Sequence, residues 1–385
     1  MKIGHYMTGI WHPGGIATYI RRVSDAQRAS GHEVHFFDTR APESDGDASM
    51  RPTIVRDTDH LYATANELGI EILHLHTEVS GAPGGGSCRV VRTVHGHAPY
   101  CPSGTQFLRA FGRPCSRVAG LVGCSVGHVL GRCGSVRPAK IVEEIERSWK
   151  ERHTLSAIPV ITVSEFLKNR MIAAGYSADR IAVLHLMGPT VAEARPIPDS
   201  GVPRLVFLGR ITPAKGVEWL LRALARTKVP VHLDIGGSGP DEQEMIQLAK
   251  SLGIASRVTF HGWLSPQRVA ELLTAARSIV FPSMWHEPGG TVAFESMSFG
   301  RPVIVSAVGG MPEVVRDGEN GLLVAPGDEV ALANAIERLA LDRPYAEQLG
   351  SYGRKIVNER FTLAAHVEKL EGLYRSAIAG TFGQS

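Results

Sequence analysis

The feature that most restricts this chain is an alternation. Short apolar runs are followed by longer amphipathic stretches through nearly all of its 385 residues. "KIGHYM" leads to the glycine-rich "HPGGIATYIRRVSDAQRASG" and then "HEVHFFD"; "IEILHLH", "RVVRTVHG", "IPVITVS" and "IAVLHLM" come later. Runs of that length between helical patterns predict βαβ units and parallel sheets. The pattern pauses at "GPTVAEARPIPDSGVPR", residues 188–204, where four prolines and several small residues mark an interdomain linker. A second series then runs through "RLVFLGRI", "VEWLLRALARTK", "VHLDIGG", "PDEQEMIQLAKSLG", "RVTFHG", "SPQRVAELLTAA", "SIVFPS", "TVAFESMSFG" and "PVIVSAV". The expected fold is α/β, with two doubly wound Rossmann-like domains, 1–190 and 204–358, and a last segment, 359–385. Sheets of this kind bind ligands beyond the carboxyl ends of their strands, so two facing domains would form one cleft from two sets of loops.

Net charge bears on partners. At +3 the whole chain does not read as a nucleic-acid binder. From Arg89 to Arg152, however, eleven Arg or Lys stand against four Glu, which suits either a solvated helical face or a surface for an anionic acceptor or a membrane. The opening "MKIGHYMTGIW" lacks the apolar core and cleavage site of a signal peptide, and no apolar run approaches the roughly 20 residues that span a bilayer. Five cysteines fit a reducing compartment better than a disulfide framework. The expectation is a cytoplasmic protein, with peripheral membrane contact left open.

The second half carries phosphate chemistry. "LVFLGRITPAKG" places Gly209, Arg210, Lys215 and Gly216 just after a strand. There Arg210 can grip a diphosphate by paired hydrogen bonds and Lys215 as a point charge. "SIVFPS" reads as a buried strand, "MWHEPGG" as its loop and "TVAFESMSFG" as the helix that follows. Exposed amides at Gly290, Thr291 and Val292 would make an anion site at that helix's N-terminus. The carboxylates Glu287 and Glu295 cannot hold phosphate. Glu295, one turn into the helix, can accept from the vicinal hydroxyls of a ribose, and Glu287, on the loop, from a sugar beyond the diphosphate. Singly, these residues are common as surface cations, a solvated helix residue and a capping neighbour. Together they suit a nucleotide sugar. "DIGGSGPDEQ" offers Gly236, Gly237 and Gly239 either for close approach to a ligand or for a tight turn, and it is not G-x-G-x-x-G. "TFHGWL" puts His261, Gly262 and Trp263 at a strand end, to border a base or to pack.

At these residues the second half resembles glycosyltransferase family 4, of the GT-B fold. Gly209-Arg210 with Lys215-Gly216, "GGSGP", "FHG", the Glu287/Glu295 pair and "GRPVIVSAVGGMPEVV" cover most of residues 204–330. The resemblance implies transfer of a hexose from a nucleotide-diphosphate sugar to an acceptor hydroxyl, with retention of configuration and no catalytic metal or other required cofactor. It implies that Arg210 and Lys215 grip the diphosphate, Glu295 the ribose and Glu287 the donor sugar. Gly289 stands where the family more often has Phe, which loosens the loop. In the first half "HPGGIATYI" looks like the family's N-terminal glycine loop, which would bring Gly14 and Gly15 to donor phosphate and acceptor. "RTVHGH" puts His95 after a strand, where related enzymes carry a His near the donor sugar; His97 follows it. In similar enzymes the final helical stretch crosses back onto the first domain. The acceptor is left open between a surface polysaccharide, a lipid-linked glycan and a small metabolite.

Residues 101–133 form a Gly- and Arg-rich insertion holding Cys101, Cys115, Cys124 and Cys133. Four thiolates can bind zinc tetrahedrally or an iron–sulfur cluster, stapling a segment with little regular structure on the acceptor side. The alternative is four separate thiols, some buried as small hydrophobes. Any such metal is structural. Two other functions share these features: a nucleotide-sugar epimerase on the same fold, and a non-catalytic metal-binding or scaffold protein that keeps a donor site.

Overall fold

The structure, a computed structural model, describes residues 1–12, 14–41, 50–191, 193, 196–199 and 201–383; Ala192, Ala194, Arg195 and Ser200 of the expected linker lie outside them. Contacts divide the chain into two compact units: Met1–Thr105, Arg117–His185 and Leu363–Ser385 form one, Gln106–Ser116 and Leu186–Thr362 the other.

The first unit opens with β1 (Lys2–Tyr6), β2 (Glu33–Asp38), β3 (Thr53–Ile54), β4 (Ile72–Leu75) and β5 (Arg89–Val94). A short antiparallel pair, β6 (Phe107–Leu108) and β7 (Arg113–Pro114), groups with the second unit. β8 (Val160–Thr162) and β9 (Ile181–Val183) complete a parallel sheet in the order β3-β2-β1-β4-β5-β8-β9. Its helices are α1 (Gly15–Ala29), α2 (Thr58–Glu67), α3 (Leu121–Gly131), α4 (Pro138–Ser156) and α5 (Glu165–Ala173). Local chemistry sets their starts. Asp57 accepts from the His60 amide to cap α2, and Ser164 from the Leu167 amide to cap α5. The insertion 101–133 is more regular than its composition suggests, since it contains β6, β7 and the eleven residues of α3.

The second unit has β10 (Arg204–Leu208), β11 (His232–Gly236), β12 (Val258–Phe260), β13 (Ser278–Phe281), β14 (Val303–Ser306) and β15 (Gly321–Val324), all parallel, in the order β12-β11-β10-β13-β14-β15. α6 (Val217–Arg226), α7 (Glu242–Ser251), α8 (Pro266–Ala275), α9 (Thr291–Ser298), α10 (Met311–Val314), α11 (Glu329–Leu341) and α12 (Arg343–Arg360) connect and flank these strands. In α6, Val217, Leu220, Leu221 and Leu224 recur at helical spacing and are buried. They join Phe207, Leu233, Ile235, Val280, Ile304 and Leu332 in one core. Each such side chain contributes about 1.5–3 kcal/mol when taken out of water. A last helix, α13 (Leu363–Ala379), belongs to the first unit, where the Tyr374 hydroxyl lies 2.6 Å from His74 Nδ1 and His366 Nε2 2.9 Å from the Tyr19 hydroxyl.

In each sheet the strand order reverses once, at β1/β4 in the first unit and at β10/β13 in the second. The chain leaves in opposite directions on either side of such a switch, so a crevice opens at the strands' carboxyl ends. Among the described residues no helix is long and apolar enough to cross a membrane.

Candidate active site

In the second unit the loops after β10 and β13 meet at the switch point. Lys215 Nζ lies 2.7 Å from Glu287 Oε1. The same oxygen accepts from Ser283 Oγ and Trp285 Nε1, while the ammonium sits 5.0 Å from the centroids of both Phe281 and Trp285. Glu287 is buried, at 4 % exposure, and three donors converge on its carboxylate, as a buried polar group requires. Backbone contacts hold the two loops at this distance. The Met284 amide donates to the Ala214 carbonyl at 2.8 Å. Gly216 has φ +71°, and a Cβ there would lie 1.9 Å from the Pro282 carbonyl oxygen; no other residue type fits that approach. The Gly310 amide donates to the Glu287 carbonyl at 2.8 Å, which gives "GRPVIVSAVGG" a local purpose: it shelves the glutamate loop.

The helix after that loop starts as the sequence suggests. Gly290, at φ +58°, precedes Thr291, and no side chain caps α9. Gly289 is buried, Thr291 exposed and Val292 half-buried. Glu295, the fifth residue of α9, is half-buried. Arg210 is exposed and forms no ion pair among the described residues. Lys215 and Glu287, expected to grip phosphate and sugar, are also partners of one another.

The glycines of "GGSGP" serve the loops rather than open space. A Cβ on Gly237 would meet the Gly209 carbonyl oxygen at 2.0 Å, and one on Gly239 that of Ile211 at 2.1 Å. The Gly209 amide donates to the Gly236 carbonyl and the Ile211 amide to that of Ser238, both at 3.0 Å. Next to them His261 Nε2 lies 2.8 Å from Asp234 Oδ1, and Arg204 grips the same carboxylate through two nitrogens. That bond occupies one face of His261. Trp263 packs on little: it is 71 % exposed.

In the first unit a cavity of about 510 Å³ opens at the carboxyl ends of β1, β4 and β5, lined by Thr8, Ile16, His76, Thr77, Arg92 and His95 among others. Gly14 and Gly15 begin α1 and are exposed, with open space where a Cβ would stand. The β1 loop is fixed by Asp38, whose carboxylate accepts from the Gly9, Ile10 and Arg40 amides. His95 ends a chain of rings. Its Nε2 lies 3.1 Å from His76 Nδ1, His76 Nε2 lies 3.0 Å from His5 Nδ1, and His5 Nε2 lies 2.9 Å from Gln27 Oε1. Burial lowers His5 to about 4 and His95 to about 3, and holds His76 well below its ordinary value, so the rings are neutral. A neutral imidazole has one donor and one acceptor nitrogen. The chain therefore runs one way only, and the turn of the Gln27 amide decides which nitrogen of His95 carries its proton.

His97 lies off this chain, buried against Tyr100. Arg92 is buried against Glu151, 3.3 Å away, and burial pushes Glu151 up to about 7 against the pull of the guanidinium. Cys101 Sγ lies 3.3 Å from Ser103 Oγ, and the Cys133 carbonyl accepts from Thr105. Cys115 donates its amide to the Gln106 carbonyl and Cys124 its amide to that of Gly120. The four cysteines expected to share a metal are not brought together: among the described residues the side chains close enough to hold one ion are His5, His74 and His76. The sequence reading missed His5, His76 and Gln27, although the H-x-H of "ILHLH", both residues on one strand face, was a usable signal. It also missed Ser283, Trp285 and Asp234, which nothing in the local pattern marks.

Comparison with known proteins joins these features. Residues 193–356 match the model "Glycosyl transferases group 1" and residues 13–186 the model "Glycosyltransferase Family 4". The alpha-maltose-1-phosphate synthase of Mycolicibacterium smegmatis is 32% identical over 259 residues, 60% of this chain and 67% of that protein. The D-inositol 3-phosphate glycosyltransferase of Corynebacterium diphtheriae is 36% identical over 182 residues, 45% of this chain and 42% of its own length. With several such relatives the match spans a little under half their length. Among solved structures, the sucrose-phosphate synthase of Thermosynechococcus elongatus superposes with a TM-score of 0.74 at 22% identity, covering 98% of this chain and 99% of that one. HepE of Anabaena, solved with UDP-glucose, gives 0.69 at 18% identity, covering 98% and 100%; at these identities both show the fold alone. Two parallel α/β units, a lysine–glutamate pair at a strand-order switch and both family models together establish that the chain belongs to the family 4 glycosyltransferases, of the GT-B fold.

Proposed function

We propose that this protein transfers a hexose from a nucleoside-diphosphate sugar to an acceptor hydroxyl, with retention of anomeric configuration and no metal in the chemistry. The observation that carries this is the Lys215–Glu287 pair, fixed beside the uncapped start of α9. A lysine ammonium has three donors and Glu287 takes one, so two remain for a diphosphate. Glu287 aims those donors and offers its carboxylate to hydroxyls of the donor sugar. The amides of Gly290, Thr291 and Val292, following Gly289, and the guanidinium of Arg210 supply further positive character. As the sugar–phosphate bond breaks, charge grows on the leaving diphosphate, and each well-placed donor there is worth about 3 kcal/mol of barrier. The acceptor oxygen attacks from the side the diphosphate leaves and passes its proton to a phosphate oxygen.

Glu295 takes the ribose and Trp263 the base. Gly236 and Gly237 keep the neighbouring loops in register around the donor. The cavity of the first unit, with His95 in its wall and Gly14 and Gly15 at the start of α1, receives the acceptor. The binding of UDP-glucose by HepE supports a nucleoside-diphosphate hexose as donor.

Nucleoside diphosphates and their hexoses should raise the melting temperature, since a ligand bound only by the folded state stabilises it by mass action. Glu295→Ala should remove that shift. A variant that keeps full stabilisation would show that the ribose sits elsewhere. With an α-configured donor and a found acceptor, proton NMR of the product should show an α linkage; a β linkage would overturn retention.

A further inference from the structure

α3 is turned inside out. Its inward face buries Gly127, His128 and Gly131, while Leu121, Val122, Val126, Val129 and Leu130 are exposed, Val122 at 76 %. At 3.6 residues per turn these five spread over one half of the helix, with Ser125 among them. Val118 and Val136, just outside the helix, are exposed as well. A soluble helix normally points such residues at the core, and a contiguous apolar face of this kind marks an interaction site. The arrangement is fastened rather than frayed. His128 Nδ1 lies 2.9 Å from the Ser135 carbonyl oxygen, and Arg117 donates to the Gly123 carbonyl at 3.0 Å.

Charge identifies the occupant. Residues 79–142 contain no Asp or Glu. Within that stretch Arg132, Arg137 and Lys140 follow the helix and are exposed, and Arg117 precedes it. Lys140 pairs with Glu143 at 2.6 Å and Glu144 lies 3.6 Å from His128 on the buried side, so the exposed face is rimmed by Arg117, Arg132 and Arg137. An apolar face rimmed by arginines complements an anionic lipid surface. Eleven residues rise only about 16 Å, too short to cross a bilayer. We propose that α3 lies in the plane of a membrane, its Val/Leu face among the lipid chains and its flanking cations on anionic headgroups. This docking does not depend on the transferase reading and needs no donor or acceptor.

Flotation of the full chain with phosphatidylcholine vesicles, with and without phosphatidylglycerol, tests it. Binding is expected to the anionic vesicles, to weaken steeply with salt, and to fall by about fivefold for each cation removed, as in Arg132→Gln and Arg137→Gln. Val122→Glu with Val129→Glu, both already exposed and so harmless to folding, should abolish binding while leaving the melting temperature unchanged. Failure of the wild-type chain to float with anionic vesicles overturns the proposal, as does unchanged binding by the double variant. Self-association in light scattering that the double variant removes, without vesicle binding, would assign the face to a second copy of the chain instead.

Discussion

The two units share one topological device and use it with opposite electrostatics. At the β1/β4 switch the first unit sets a chain of neutral groups, imidazoles, a glutamine amide and tyrosine hydroxyls bonded to one another, with the Arg92–Glu151 pair beside it. At the β10/β13 switch the second unit buries a carboxylate against an ammonium. A neutral chain can present a hydroxyl-sized hydrogen bond but cannot hold a polyanion. A lysine with spare donors can. Under the proposed function the same crevice serves an acceptor in one unit and a diphosphate in the other through a few side chains, and the two should fail differently when perturbed.

The largest difference should appear in acid. Every fully buried histidine among the described residues lies in the first unit. Burial lowers His5 and His366 to about 4 and holds His74 and His76 well below their ordinary value, with Arg92 and Arg28 adding repulsion. The unfolded chain binds protons at these rings below about pH 6.5, and the folded unit does not until about pH 4. The unfolded state therefore holds more protons across that window, and stability is complete above it and falls as pH drops. Each ring costs about 1.4 kcal/mol per pH unit, so four together outweigh any single substitution. Hydrogen exchange at about pH 5.5 should find the first unit opening before the second. Equal protection in both units would break the comparison.

Lys215→Ala should act next most strongly, and in the second unit. It strands Glu287 in a buried place with Ser283 and Trp285 as remaining donors, which should cost about 3 kcal/mol in urea unfolding. Turnover should fall by about a hundredfold or more. Adding Glu287→Gln removes the stranded charge, so the double variant should regain most of the stability and none of the activity. That split separates the pair's structural cost from its chemical use. A single variant as stable and active as wild type would show that the pair is incidental.

The central strands were legible because they are buried on both faces and read as apolar runs: "SIVFPS" became β13 and "IEILHLH" became β4. The start of α9 was legible because Gly-Gly before a helix is local chemistry. What stayed hidden is long-range. Lys215 and Glu287 are 72 residues apart, and only the strand order brings their loops together. The histidine chain needed the register that sets His5 opposite His74. The glycines of "GGSGP" left open a ligand contact or a turn, and their close packing against residues 209–211 is a contact the local sequence does not display.

The smallest effect isolates the base. Trp263 stands on a loop held by the His261–Asp234 contact and by the Gly237 amide, which donates to the Gly262 carbonyl at 2.8 Å. The indole is thus exposed on a rigid support, and its removal should leave stability within about 0.5 kcal/mol. Stacking an aromatic ring on a nucleobase is worth about 1 kcal/mol or somewhat more, so Trp263→Ala should weaken a nucleoside diphosphate by about fivefold to tenfold. Inorganic pyrophosphate has no base and should bind the variant and wild type alike. If both ligands weaken together, Trp263 supports the phosphate loops instead. If neither does, the base lies away from β12, and the second unit's claim to the whole nucleotide shrinks to the phosphates that Lys215 and α9 can reach.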